Sequence, residues 1–554
     1  MKKLLSLCVM LFLALNLSAQ TNYQHVWSLN QLPFQVANAP SEMAMVKAGF
    51  DTDNDGKGEF ICSYTDLDTN HVMMYEATGD NTYELVWSWA LPVPVNSFAS
   101  FAVGDLDGNG LPEIIVTAAS RTSPNPNPPR LWVFEWTGVQ GENKYGSYAN
   151  VPMQPSAEWN FNVEDNLDFR PYSLIVDDID NDGQNELVVG VRQGGRGREV
   201  LVVSVVGNFD GFASFDIEYN LQGLTGGSLY CVATGDIDND GKKEIVALIW
   251  NYFSIHIIKA NGPNNYELVK SLDTLYKHTG VDYGSVDGIV INDIDGDGKN
   301  EMYIAGTEPT NTIFVVSNLT NAANLTAEDV KVFMTIPVNA GGKFRSMQVM
   351  DMNGNGRKSL MIAGESNGQL YDVQYKGSGD PALAVNWDVE VAFDLFQHSG
   401  FSPTDNPTIS PRFFYASPAK DMDGDGKNEF ISVNYSSDFA VWPGDGYLFM
   451  VEHQTVSSID GEVNANPSSF VLGQNYPNPF NPITKIEYYI PENGLVTLNV
   501  YDILGNLVAE LANGTQVKGS HSVNFNASSL ASGTYLYRLN YNGKSVSKKL
   551  LLLK

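Results

Sequence analysis

Apolar positions along this chain come in short runs of four to seven residues, alternating with polar ones or continuous, and each run ends in Gly, Asn, Asp or Pro. That is the pattern of strands and tight turns. One stretch shows the unit clearly: Phe98–Gly104, Glu113–Ala118, Leu131–Trp136 and Ala157–Asn162 are four strand-like runs within one period. The period recurs down the chain, and four strands per period of this length predict a propeller blade. The last period has only three runs, Phe413–Pro418, Glu429–Asn434 and Gly446–His453. Its fourth is available in Tyr23–Leu29 (YQHVWSL), which matches the outer runs YELVWSWAL and YELVKSL. The expected fold is therefore all-β: a seven-bladed β-propeller closed by both ends of the repeat region, which removes free sheet edges. A small β-sandwich is expected to follow it.

Between the first two runs of each period lies a nine-residue acidic loop. The loops begin at Asp51 (DTDNDGKGE), Asp105 (DLDGNGLPE), Asp178 (DIDNDGQNE), Asp236 (DIDNDGKKE), Asp293 (DIDGDGKNE), Asp351 (DMNGNGRKS) and Asp421 (DMDGDGKNE). Calcium takes six to eight oxygens at roughly 2.3–2.6 Å. Side chains at loop positions 1, 3 and 5 converge on such an ion if the chain coils around it. The sets are Asp51, Asp53 and Asp55; Asp105, Asp107 and Asn109; Asp178, Asp180 and Asp182; Asp236, Asp238 and Asp240; Asp293, Asp295 and Asp297; Asp351, Asn353 and Asn355; Asp421, Asp423 and Asp425. Position 6 is Gly every time, as a sharp turn requires. Position 7 offers a backbone carbonyl, from Lys57, Leu111, Gln184, Lys242, Lys299 and Lys427. Position 9 closes the shell with Glu59, Glu113, Glu186, Glu244, Glu301 and Glu429.

An EF-hand opens the same way, but its closing Glu stands at position 12 and helices flank it. Here position 12 is Cys62 in the first loop and Val116 in the second, and strand-like runs follow. The Asp351 loop keeps one carboxylate and is expected to bind weakly or stay empty. The expected cofactor is calcium, about six ions, and without it the clustered carboxylates repel one another.

Composition then narrows the class. The chain has 554 residues, 50 Gly, 26 Pro and a formal net charge of −31, which argues against nucleic acid or anionic membrane as partner. Residues 1–20 read as a signal peptide: Lys2 and Lys3, an apolar run from Leu4 to Leu17, then Leu17-Ser18-Ala19 as cleavage site. No other run is long enough to span a bilayer as a helix. Cys62 and Cys231 fall in different blades and read as two buried thiols, not a disulfide.

The strand-loop-strand unit, best seen in FAVGDLDGNGLPEIIV, resembles the FG-GAP/VCBS repeat of integrin α-subunit propellers, over roughly residues 22–453. The resemblance implies a β-propeller, assigned to 21–454, with calcium in the loop between the first and second strands of a blade. Three elongated or aromatic-bearing loops, Ser120–Pro129, Leu395–Arg412 and Asp438–Asp445, then fall on the face opposite those loops, and Gly138–Ser156 on the same face. Long loops on rigid scaffolds carry binding residues, so the candidate ligand face includes Arg121, Phe169, Arg170, His398, Phe401, Asp405 and Trp442.

A polar linker at 455–469 precedes a second domain, 470–554. Its Gln474–Pro482 motif (QNYPNPFNP), Val500-Tyr501-Asp502 with Gly505, Ser532–Tyr535 and the tail Lys548-Lys549-Leu550 closely resemble the type A sorting domain of the type IX secretion system. That implies passage to the periplasm and then across the outer membrane, with the secretion machinery as partner. Localisation is expected to be secreted or outer cell surface.

Catalytic signatures are few. Gly364-Glu365-Ser366-Asn367-Gly368 fits G-x-S-x-G, but SLMIAGES runs into QLYDVQY, a strand into a strand, where a nucleophile elbow needs a helix. His25, His71 and His256 lie in strand runs. The leading reading is a non-catalytic binding or adhesion module for an extracellular glycan or protein. Beside it stand a lyase-like polysaccharide enzyme, for which Arg121, Arg170 and His398 are the hints, and a structural surface protein.

Overall fold

The computed structural model describes residues 22–34, 41–66, 69–93, 98–118, 128–147, 153–164, 167–250, 253–273, 275, 285–308, 311–336, 343–365, 368–400, 413–435, 446–454, 471–472, 475, 480–502, 506–542 and 544–553. Two compact units divide the chain, residues 1–454 and 455–554. The signal peptide, the linker, Ser366, Asn367 and most of the QNYPNPFNP motif lie outside the described residues.

The first unit is all-β and built of four-stranded antiparallel sheets, consistent with a β-propeller. Seven such sheets are present among its described residues. Six are formed by consecutive strands, for example Glu59–Asp66 between Ser41–Phe50 and Thr69–Gly79, with Thr82–Ala90 outermost. The remaining sheet joins both ends of the repeat region: Tyr23–Leu29 pairs with Leu448–His453, which pairs with Glu429–Asn434 and then Phe413–Ala419.

First strands of successive sheets pack against one another. Ser41–Phe50 touches Ser100–Gly104, and contact then passes through Phe169–Asp177, Leu229–Gly235, Ser285–Asn292 and Lys343–Met350 to Phe413–Ala419, which returns to Ser41–Phe50. The apolar core is correspondingly divided among sheet interfaces. Ile115, Val133, Leu187 and Val203 fill one, and Val246, Ile257, Ile304 and Phe314 another. A second strand such as Glu113–Thr117 (EIIVT) is buried along its whole length because a neighbouring sheet covers each face, hence its continuous apolar run. Cys62 is buried as expected, whereas Cys231 is only half-buried, on the first strand Leu229–Gly235; neither forms a disulfide.

The second unit holds a three-stranded sheet (Val471–Leu472, Ile483–Ile490, Gly519–Asn526) and a four-stranded one (Leu507–Gln516, Gly494–Tyr501, Gly533–Tyr541, Lys544–Leu552). Ile486, Tyr488, Val496, Leu498, Tyr537, Leu539 and Leu550 share its core.

Candidate metal centres

Each acidic loop joins the first strand of a sheet to the second, and its conformation follows from residues at fixed positions. Position 6 is left-handed in all seven, from Gly56 at φ 87° to Gly426 at 89°. Position 4 is left-handed too, and only Asn or Gly occupies it: Asn54, Gly108, Asn181, Asn239, Gly296, Gly354 and Gly424. Side chains other than Asn, Asp or Gly are strained there. Position 2 is a buried anchor, including Leu106, Ile179, Ile237, Ile294, Met352 and Met422.

The position-1 carboxylate nucleates the turn. Asp51 accepts from the backbone N–H of Asp55 (3.0 Å) and Gly56 (3.2 Å), and Asp105, Asp178, Asp236, Asp293 and Asp351 repeat both bonds. The closing Glu turns inward. One oxygen accepts the position-2 N–H: Glu59 from Thr52 (2.7 Å), Glu113 from Leu106 (2.6 Å), Glu186 from Ile179 (2.8 Å), Glu244 from Ile237 (2.9 Å), Glu301 from Ile294 (3.2 Å) and Glu429 from Met422 (3.0 Å).

The other oxygen decides what the loops can do. Glu59 Oε1, Glu113 Oε1, Glu429 Oε1 and Asp53 Oδ2 are buried without a hydrogen-bond partner. Ligand atoms of Asp421, Asp423, Asp425 and Glu429 lie within 4.8 Å of one another, as do those of Asp105, Asp107 and Glu113, and of Asp51, Asp53 and Asp55. Buried carboxylate oxygens without a donor are costly, and a hard cation is what such a donor set fits. Burial pushes the carboxyls of Glu59, Glu244 and Glu301 up to about 7, those of Glu186 and Glu429 to about 8, and that of Glu113 to about 9. A bound cation reverses that pressure.

Further acids face the loops from the third strands, which the loop motif alone does not reveal. Glu76 pairs in register with Glu59, Glu135 with Glu113 and Glu452 with Glu429. In the fourth sheet the equivalent residue is Lys259, opposite Glu244. Its ammonium lies 3.0 Å from Asp238, 2.9 Å from Asp240 and 2.6 Å from Glu244. This loop, complete in sequence, already holds a cation of its own. Lys57 and Lys427 do less: Lys57 bridges Asp55 (2.5 Å) and Glu76 (3.0 Å), and Lys427 bridges Asp425 and Glu452, away from the closing Glu.

Position 8 links loop to loop. Asn185 donates to the Asp105 carbonyl (2.7 Å), Lys243 to that of Asp178 (2.9 Å), Asn300 to that of Asp236 (2.8 Å), Lys358 to that of Asp293 and Asn428 to that of Asp351 (2.9 Å). Gly58 N–H reaches the Met422 carbonyl (2.7 Å), passing from the first loop to the last. Pro112 has no N–H to give, and at that step Gln140 and Gly141 bond the carbonyls of Asn54 (2.6 Å) and Asp53 (3.1 Å) instead. Direct bonds thus join the seven loops in one series, and Gln140 and Gly141, from the segment after Leu131–Glu135, close the step at the first loop.

The ligand-face candidates fare differently. Arg121, Phe401, Asp405 and Trp442 lie outside the described residues. Phe169 is fully buried against Phe161 (ring centroids 5.3 Å apart), so it is a packing residue and not an exposed contact. Arg170 is buried and forked onto Asp168 at 3.0 and 2.9 Å. The His398 and His25 rings lie 4.6 Å apart, tilted by 57°, and with His453, Asp372 and Glu390 they line a groove of 1210 Å³ that the sequence did not signal. Burial lowers the pKa of all three histidines, Tyr23 donates to Asp372 (2.7 Å), and Asn22 binds Glu390.

Comparison with known proteins follows this division. Residues 51–116 match the family model for an FG-GAP-like repeat, and residues 221–373 that for integrin-alpha FG-GAP repeat-containing protein 2. Residues 474–553 match the secretion system C-terminal sorting domain. No curated protein matches the chain. Among solved structures, the β-propeller domain of Vanderwaltozyma polyspora Nup133 is 11% identical, covering 78% of this chain and 97% of its own, at TM-score 0.39. A humanized mutant of the Chaetomium thermophilum Polycomb Repressive Complex 2 is 10% identical with the same coverages, at 0.43. Likenesses this loose assign neither fold nor function. Among the described residues no helix is long and apolar enough to cross a membrane. The chain thus carries FG-GAP repeats and ends in a sorting domain of the type IX secretion system, which directs it to the cell surface or the extracellular space.

Proposed function

We propose that the chain is a calcium-loaded, seven-bladed β-propeller that serves outside the cell as a non-catalytic binding or adhesion module. Seven four-stranded sheets in circular contact, one of them closed by both ends of the repeat region, support the blade count. The observation that carries the calcium reading is the set of buried carboxylate oxygens without donors at Glu59, Glu113, Glu429 and Asp53. The residues that would hold the ion are those at positions 1, 3, 5 and 9, with the position-7 carbonyl.

A bound calcium ion would supply charge neutralisation to the carboxylates of its loop; the chain's own part is to hold those carboxylates in the tight turn. Five loops fit an ion: those at Asp51, Asp105, Asp178, Asp293 and Asp421. The loop at Asp351, with Ser359 where the closing Glu would be, already stands outside the expectation of about six, and that number falls to five because Lys259 occupies the loop at Asp236.

The non-catalytic reading draws on two of the histidines: His71 stacks on Tyr64 (4.7 Å), and His256 is buried beside Ser271, whereas His25, His398 and His453 line the groove and do not bear on it. The strands flanking Gly364–Gly368 also pair as a hairpin, Gly364 opposite Gln369. Thermal unfolding in calcium and in excess chelator tests the reading: chelation is expected to lower the melting temperature by well over 10 °C, and an unchanged curve would remove calcium from the account.

A further inference from the structure

The first strands of the sheets enclose a cavity of 440 Å³, lined by Lys47, Tyr172, Tyr230, Arg345 and Tyr415 among others. Among the described residues no carboxylate lines it, in a chain with 64 Asp and Glu against 33 Lys and Arg. Lys47 reaches across to the Leu174 carbonyl (3.1 Å), and among the described residues its ammonium has no ion-pair partner. Arg345 is held by Glu365, with its guanidinium 4.2 Å from the Phe414 ring and 5.1 Å from that of Tyr230. Arg192 approaches the same Tyr230 ring at 4.9 Å and that of Tyr172 at 5.8 Å.

Lys47 is half-buried; a cation partly withdrawn from bulk water without a counter-charge is unfavourable, and this burial lowers the Lys47 pKa to about 8. An oxyanion completes such a site. The space falls within the roughly 300–1,000 Å³ of small-molecule pockets and far exceeds a bare inorganic anion. Tyrosine rings supply flat apolar faces with polar rims.

We propose that this axial cavity binds an acidic sugar, one bearing a carboxylate or sulfate, with Lys47 and Arg345 taking the oxyanion and the half-buried Tyr230 and Tyr415 bordering the ring. The proposal names a ligand class for the binding-module reading and rests on that reading, but not on calcium. Calorimetric titration of the full chain, in calcium, with galacturonate, galactose 6-sulfate, neutral galactose and inorganic sulfate tests it. At least one acidic sugar is expected to bind saturably, neutral galactose not at all, and Lys47→Met to weaken binding at least tenfold. The Lys47→Met melting temperature should equal or exceed the parent's, since the substitution removes an uncompensated charge, so a lost signal is not a lost fold. Four results overturn the proposal: no binding of either acidic sugar, equal binding of galactose, inorganic sulfate binding as tightly, or affinity unmoved by Lys47→Met. A failed titration beside an intact chelator effect would sink this inference alone.

Discussion

Lys259 gives the most discriminating perturbation. Its ammonium sits among Asp238, Asp240 and Glu244 where the other loops offer space for a divalent ion. Asp238 and Glu244 are buried and Asp240 is 43% exposed, so the first two dominate. Lys259→Met keeps the stem's bulk and removes the charge. Leaving buried carboxylates without their partner costs about 3–5 kcal/mol. An unfolding entropy of about 2.1 cal/mol/K per residue over roughly 430 residues converts that to a fall of about 3–5 °C. The fall should appear only in chelator. In calcium the vacated loop takes an ion, so the variant should melt within about 1 °C of the parent and bind one more ion. Scanning calorimetry in both conditions reads the contrast. Equal losses in chelator and in calcium would show that Lys259 is a packing residue and that the fourth loop is no metal site.

Further outcomes follow from the loops. In the metal-free protein, buried Glu59, Glu186 and Glu113 hold protons more tightly than they do unfolded, so stability is fullest at acid pH. It is lost as pH rises from the usual Glu range near about 4.3 through about 7–9. Bound calcium reverses this slope, and melting curves with pH in chelator and in calcium should tilt oppositely; parallel curves refute the reading. Gly58→Ala places a Cβ 2.4 Å from Met422, and this overpacking should cost about 1–3 kcal/mol by chemical denaturation, with Gly56→Ala differing because it meets no atom and suffers only from its positive φ. Removing loop-to-loop donors one at a time, Asn185→Ala, Asn300→Ala and Asn428→Ala, should cost about 0.5–1.5 kcal/mol each. Tight additivity of all three with chelation would argue against a continuous series.

Much of this was legible in the chain. Runs of two-sided apolar residues such as EIIVT are visible because both faces of a middle strand are covered, and the likeness of YQHVWSL to YELVWSWAL foretold the pairing of Tyr23–Leu29 with Leu448–His453. Loop positions 1, 3, 5, 6 and 9 were legible for the same reason: the turn constrains residue type directly. Position 4 was visible as Asn or Gly but carried no meaning until its left-handed φ was known. Lys259 was not legible, because its link to Glu244 is a register pairing 15 residues away, and nothing local marks a strand lysine as a counter-ion. Phe169 misled for a related reason: an aromatic beside a loop reads as exposed, and only the neighbouring sheet shows it to be core. The axial cavity was hidden entirely, since its residues come from separate strands spread between Met45 and Tyr415.

Counting bound calcium in the purified, folded full chain by native mass spectrometry tests the central claim most directly. Five ions are predicted, all lost to chelator, with a sixth appearing in Lys259→Met. No bound calcium would contradict the account and leave the seven loops as acidic turns.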